Sequence, residues 1–258
     1  MKYQRILREA DARGVLRITL NRPEKRNALD GRTVQELRAA LFGADVTTST
    51  RVVLISANGP DFCAGADLEQ LERIAAGGDS LENLGDAGAL GALFVQMRRA
   101  RMPIVAAVQG NAIAGGAGLA TAADIVLASD DATFGYPEVN LGFVPAMVLA
   151  LLRRSVGEKT AFDLAAGGHR FGAQEAHRLG LVTRILESVR FAEEVDAFVT
   201  TLAARSTSAL QLIKRLLYGM DNLPFEEAIA RGAEVNVLAR GTADCQEGVR
   251  RFLARRRE

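Results

Sequence analysis

Four short apolar runs mark the first 130 residues, and the spacing of polar positions within them distinguishes the elements they predict. GVLRITLN, from Gly14 to Asn21, alternates apolar and polar side chains as a half-buried strand does, and Pro23 ends it. RVVLISA (Arg51 to Ala57) and PIVAAV (Pro103 to Val108) are apolar runs of buried-strand type, and DIVLAS (Asp124 to Ser129) is a fourth strand. After the first run, Asp30 is placed to cap a helix carrying Val34, Leu37 and Leu41, while Asn58, Gly59 and Pro60 close the second run as a turn. A glycine-rich stretch around Gly77 to Gly91 leads into a further helix, and residues 70–91 are expected to be mobile.

Strands alternating with helices predict an α/β architecture with helices outside a mostly buried sheet. From about Arg190 the pattern is helical only. There SALQLIKRLLYGM and FEEAIARGAEVNVLAR carry too much apolar surface for a solvated tail, so they must pack on the chain's own core or on a neighbouring subunit.

Composition narrows the function classes. With 258 residues, 48% hydrophobic, the chain can bury a full core. A formal net charge of +1, 5% aromatic residues and no tryptophan argue against a nucleic-acid partner, and the basic ending RRFLARRRE reads as a solvated helix end. Two cysteines, Cys63 and Cys245, make no disulfide framework, and the start MKYQRILREADARG has no apolar signal region, so a cytoplasmic location is expected. No run of about 18 apolar residues is present to span a membrane.

Familiar chemistries fall away in turn. The histidines, His169 and His177, both lie in GGHRFGAQEAHRLGL, which reads as a turn and a helix, and neither has the ligand spacing of a metal site. There is no GxxxxGK[ST], and AGGAG is not GxGxxG. What remains are two loops where a strand gives way to glycine: DFCAGADLEQL (Asp61 to Leu71) and GNAIAGGAGLA (Gly110 to Ala120). Each can present a free backbone N–H at the carboxyl end of a strand, and together they can hold one oxygen from two sides.

These loops, with NRPEKRNALD, FGYPEVNLGFVP and the closing EGVRRFLARR, resemble the crotonase superfamily of enoyl-CoA hydratases and isomerases over nearly the whole chain. The resemblance implies a spiral of ββα units over residues 1–195 and a helical C-terminal region, 196–258, that helps form a homotrimer or a dimer of trimers. It implies an acyl-CoA thioester substrate, coenzyme A being part of the substrate, and neither metal nor redox cofactor. Carried over residue by residue, the family's two oxyanion-hole amides fall on Ala64 and Gly115, with the helix that begins near Gly116 pointing its positive end at the thioester oxygen. Such donors stabilise an enolate, and loss of one typically costs about 2.7–4 kcal/mol of barrier.

The family's acid or base falls on Glu138, just after the Pro137 turn, where an apolar pocket raises a carboxyl pKa toward neutrality. Coenzyme A contacts fall on Arg26 and Ala28, on Ala66, Asp67 and Leu68, and beside Pro137, with Lys25 and Arg26 facing the phosphates. One position departs from the pattern. Two-glutamate hydratases carry a second glutamate three positions after the oxyanion glycine, and here that position is Gly118. Glu69, Glu72, Glu82 and Asp86, in the variable segment that walls the pocket, are the available substitutes. The resemblance therefore implies hydration of a 2-enoyl-CoA first, 3-enoyl to 2-enoyl isomerisation second, and a non-catalytic acyl-CoA-binding or RNA-binding relative as the reading of another class.

Overall fold

The computed structural model describes residues 2–46, 49–77 and 80–255. Its main sheet has six strands in the order β1 (Ile6–Ala10), β2 (Val15–Leu20), β3 (Val52–Ala57), β4 (Ile104–Val108), β6 (Ile125–Ser129), β9 (Arg184–Leu186). Only β1 and β2 run antiparallel; every other neighbouring pair is parallel. Parallel strands covered on both faces have to be apolar throughout, which is why VVLIS and IVAAV are continuous runs. All five residues of β4 are buried.

A second sheet joins β5 (Asn111–Ile113), β7 (Thr133–Gly135) and β8 (Arg170–Gly172), and an isolated bridge from Cys63 to Ala112 extends it. The chain thus climbs as repeated turns: one strand in the main sheet, a short one in the second, then helix. β3 leads to Cys63, β4 leads to β5 and then to helix α4 (Gly115–Thr121), and β6 leads to β7. This is the ββα spiral that the sequence motifs imply.

The helices enclose these sheets. α1 (Gly31–Val46) begins as expected, with Asp30 Oδ1 accepting from the Thr33 N–H at 2.7 Å, and it buries Val34, Leu37 and Leu41. Two features go beyond the sequence pattern. Between Leu68 and Arg99 the described residues form α2 (Leu68–Ala75) and α3 (Ser80–Arg99). The glycines do not break α3 because Leu93 and Met97 bury its far end fully against the core, while Gly85 and Gly88 have open space around them. Tertiary burial outweighs a propensity cost of about 1 kcal/mol per glycine. Strand β1, unannounced by the pattern, is the other difference: Ile6 alone of its five residues is buried, so its periodicity is that of an edge.

Past β7 come α5 (Ala146–Val156) and α6 (Glu158–Gly167), then α7 (Ala173–Arg178) between β8 and β9. From Phe191 the chain is helical: α8 (Phe191–Ala203), α9 (Thr207–Gly219), α10 (Phe225–Arg240) and α11 (Ala243–Ala254). α8 lays Val195, Val199 and Ala203 on the main sheet against Val52, Val105 and Leu127. α9 is tied in by buried Lys214, whose Nζ donates to the carbonyls of Met97 and Met102 and to Asp124 Oδ2 at 2.7 Å. Beyond that anchor, Ile213, Leu217, Phe225, Ile229, Val237 and Leu238 remain exposed. No helix among the described residues is long and apolar enough to cross a membrane.

Candidate active site

Two loops meet where the spiral's second sheet ends. The first follows β2. Arg26 and Asn27 both take left-handed backbone conformations, φ 49° and 54°, which L-residues hold only when something compensates. Asn27 supplies that: its Nδ2 donates to the carbonyls of Asn58 and Asp61, and its Oδ1 accepts from the Arg22 N–H. Arg22, 6% exposed, then fastens this loop to the next, donating to the Ala28 carbonyl and to Asp67 Oδ2, both at 2.8 Å, and pairing with Asp30.

The second loop, Cys63 to Asp67, is pinned on one edge by Leu29. The Leu29 N–H donates to the Gly65 carbonyl at 2.7 Å, and the Asp67 N–H donates back to the Leu29 carbonyl at 3.2 Å. In such a parallel bridge the residue between the two bonds turns its own amide the other way. That residue is Ala66, which is exposed, and its N–H has no protein acceptor among the described residues. Ala64 corrects the sequence expectation: its N–H donates to the Arg26 carbonyl at 3.0 Å and is spent within the fold.

Across a narrow gap lies the start of α4. Ala114, φ 52° and ψ −123°, is a strained non-glycine conformation that turns β5 into this helix. Gly115 is the first helical residue, and its N–H also has no protein acceptor among the described residues. Closeness here demands glycine. A Cβ on Gly65 (φ 94°) would stand 2.9 Å from the Ile113 carbonyl oxygen, and one on Gly116 would stand 2.3 Å from that of Cys63. The two unspent amides therefore flank one gap.

The gap opens into a cavity of about 530 Å³ lined by Ala66, Gly115, Pro137 and Glu138, with Leu90, Met147 and Val148 among its apolar walls. Pro137 begins the 3₁₀ turn Pro137–Leu141, which Gly142 closes at φ 73°, and the Phe143 N–H grips the Glu138 carbonyl at 2.9 Å. The turn sets the glutamate side chain at the cavity wall. Its Oε2 is buried without a hydrogen-bond partner, and burial pushes the carboxyl above the usual carboxylate range.

The other expected residues divide. A Cβ at Gly118 would meet Val148 Cγ2 at 2.6 Å and Phe94 Cζ at 3.1 Å, so apolar side chains fill the space of a second carboxylate. Glu69 pairs with Lys25 at 3.6 Å in an adjoining charged cleft that shares Asp30 with the cavity, and Glu72 is exposed; the side chains of Glu82, Asp86 and Leu68 lie outside the described residues. Asp67 is engaged structurally, its Oδ1 accepting from the Glu69 N–H at the start of α2 while Oδ2 holds Arg22. Ala28 gives its carbonyl to Arg22, and the Arg26 side chain is exposed, 3.6 Å from Asp61. His177 Nδ1 is bonded to the Val182 carbonyl, and neither histidine lines the cavity. Burial pushes the Cys63 thiol up to about 12, so it is no nucleophile at neutral pH. No group of three metal-ligating side chains occurs among the described residues. Arg22 and Leu29, which position the amides, were not singled out by sequence; the only signal was their place within NRPEKRNALD.

Comparison with known proteins places the family and the fold. The model of the family described as enoyl-CoA hydratase/isomerase matches residues 10–258. The chain belongs to the enoyl-CoA hydratase/isomerase family. It is 39% identical over 239 residues, 93% of this chain and 94% of the relative, to a provisionally named enoyl-CoA hydratase of Thermus thermophilus. It is 34% identical over 243 residues to the 2,3-dehydroadipyl-CoA hydratase of Escherichia coli K12, covering 94% and 93% of the two chains. A solved enoyl-CoA hydratase of Mycobacterium smegmatis superposes with a TM-score of 0.93 at 29% identity, over 98% of this chain and 97% of that one. The fold is thus that of the crotonases, a family of hydratases and isomerases.

Proposed function

We propose that this family member hydrates a 2-enoyl-CoA to a 3-hydroxyacyl-CoA, with the amides of Ala66 and Gly115 receiving the thioester oxygen and Glu138 moving the proton. The observation that carries the reading is the pairing of two unspent N–H groups across one gap with a buried, unpartnered carboxylate oxygen on the same cavity. Water attack at C3 moves electron density onto the thioester oxygen. Fixed amides meet that charge without reorganising, and the apolar walls strengthen each of those hydrogen bonds.

Glu138 takes a proton from the attacking water and returns it to C2 of the enolate, so one carboxyl group serves both half-reactions. Desolvation helps by making it a stronger base than an exposed glutamate. The reaction needs no further cofactor in this scheme, since coenzyme A arrives with the substrate. The exposed Lys25, in the charged cleft, and Arg26, beside Asp61, are the proposed phosphate contacts, with Ala28, Asp67, Leu68 and Pro137 shaping the path by their backbone. The exposed apolar faces of α9 to α11 support self-association, read here as a homotrimer or dimer of trimers built from residues 196–258.

A second reading is favoured by Gly118. With Val148 and Phe94 where another carboxylate would stand, a single glutamate suits the shuttling of a proton between C2 and C4 of a 3-enoyl-CoA. Incubation with a 2-enoyl-CoA and, separately, a 3-enoyl-CoA decides between them. A product heavier by one water from the first supports the hydratase; conversion of the second without change of mass supports the isomerase.

A further inference from the structure

We infer that the cavity accepts neutral, apolar acyl chains and rejects an acyl chain that ends in a carboxylate. This rests on the reading of the cavity as the acyl-CoA site and goes beyond it to the chemistry of the acyl group.

The charges on the walls carry the argument. Among the described residues the only charged side chains lining the cavity are Asp30 and Glu138, and both are acids. The segments that line the cavity offer no further cation: in Leu29–Val34 the one basic residue, Arg32, is outside the lining and pairs with Glu36 at 3.0 Å. Gln70, Ala87, Ala89 and Leu90, which wall one side, are uncharged, and the one basic residue in the sequence from 68 to 97, Arg73, lines the adjoining charged cleft. Residues 136–152, which wall the other side, contain no lysine, arginine or histidine, and Glu138 is their only charge.

The nearest buried cation is already committed: Arg22 pairs with Asp67 at 2.8 Å and with Asp30 at 3.2 Å, and Arg5 pairs with Asp30 at 3.1 Å. The space beside Gly118, which a polar side chain could have used to meet a ligand group, is packed by Val148 and Phe94. A carboxylate carried on the acyl chain would enter an apolar enclosure where Asp30 already holds Arg5 and Arg22, Glu138 bears the like charge, and no unpaired cation lines the wall. It would lose its hydration and gain only repulsion. A methyl-ended chain meets Leu90, Met147 and Val148, for which burial is favourable at every methylene.

The test compares hexanoyl-CoA with adipyl-CoA, saturated thioesters of equal chain length that differ in the terminal carboxylate and have no double bond to hydrate. Binding is measured by titration calorimetry on the full chain. Hexanoyl-CoA is expected to bind at least about 100-fold more tightly, the scale of an unpaired like-charge placement. Met147→Arg, which puts a cation on the wall, should tighten adipyl-CoA at least about tenfold while weakening hexanoyl-CoA; Leu90→Lys serves the same purpose if that variant does not fold. Equal or tighter binding of adipyl-CoA by the unmodified chain overturns the inference and leaves the site assignment intact. Binding of neither thioester overturns the site assignment itself.

Discussion

Val148 Cγ2 lies 2.6 Å from the point where Gly118 would carry a Cβ, with Phe94 Cζ 3.1 Å from the same point. The missing second carboxylate is therefore a packed apolar contact and not an empty place. Gly118→Ala is expected to destabilise the fold by about 1–3 kcal/mol, as overpacking does, and Gly118→Ala with Val148→Ala to lose less than Gly118→Ala alone. Chemical denaturation of the three chains checks this. Gly118→Glu should unfold the site without creating a two-glutamate enzyme.

Glu138 makes a pH prediction whose sign follows from burial. Its folded pKa is raised above the unfolded value, so the native state holds the proton more tightly, and this group's contribution to stability falls as pH rises from the ordinary carboxyl value of about 4.3 through the raised one. Glu138→Gln removes the cost of ionising a buried acid. Its thermal midpoint should exceed that of the unmodified protein at pH 8 and converge with it near pH 4. Activity should run the other way: kcat falls as pH drops through the raised pKa, at a higher pH than an exposed glutamate would dictate.

The Arg26 carbonyl, 3.0 Å from the Ala64 nitrogen, separates two neighbouring amides by role. Replacing the Ala66 N–H with an ester oxygen, by incorporating lactic acid at that codon, is expected to lower kcat about 10²–10³-fold with the fold unchanged. The same change at Ala64 should instead cost about 1 kcal/mol of stability and leave kcat nearer normal. Turnover and melting of the two ester proteins separate these outcomes.

How far the sequence carried can be read from these elements. β3, β4 and β6 were legible because a strand buried in a parallel sheet is largely apolar, as IVAAV is, and β2 because its apolar and polar residues alternate. β5, β7, β8 and β9, three residues each, were not, since their pairing depends on neighbours distant in sequence, as Cys63 depends on Ala112. That Glu138 and Gly115 share one cavity was legible through motif resemblance. The distinction between Ala64 and Ala66 was not, because it is made by Leu29 and Arg26 from another loop. The helix before β4 was legible but its extension back to Ser80 was not, because glycine count reflects local propensity, while Leu93 and Met97 anchor the helix by burial.

Lys214 tests the anchoring of the C-terminal helices. It is 6% exposed and shares Asp124 with the Ile104 N–H and with the Tyr218 hydroxyl, which donates to Oδ1 at 2.6 Å. Lys214→Met strands a carboxylate and should cost about 3–5 kcal/mol. Adding Asp124→Asn should return part of that loss, a coupling that a double-mutant cycle in urea measures.

The central claim is that one carboxyl group, Glu138, performs the proton chemistry beside two backbone amides. Its most direct measurement is the rate at which the unmodified chain and Glu138→Gln add water to a short, neutral 2-enoyl-CoA, followed by product mass, with thioester binding measured in parallel. The account predicts a kcat lower by about 10²–10⁴-fold in the variant, with binding of the thioester retained. A variant that hydrates within a few-fold of the unmodified rate would contradict it and move the proton chemistry to another group.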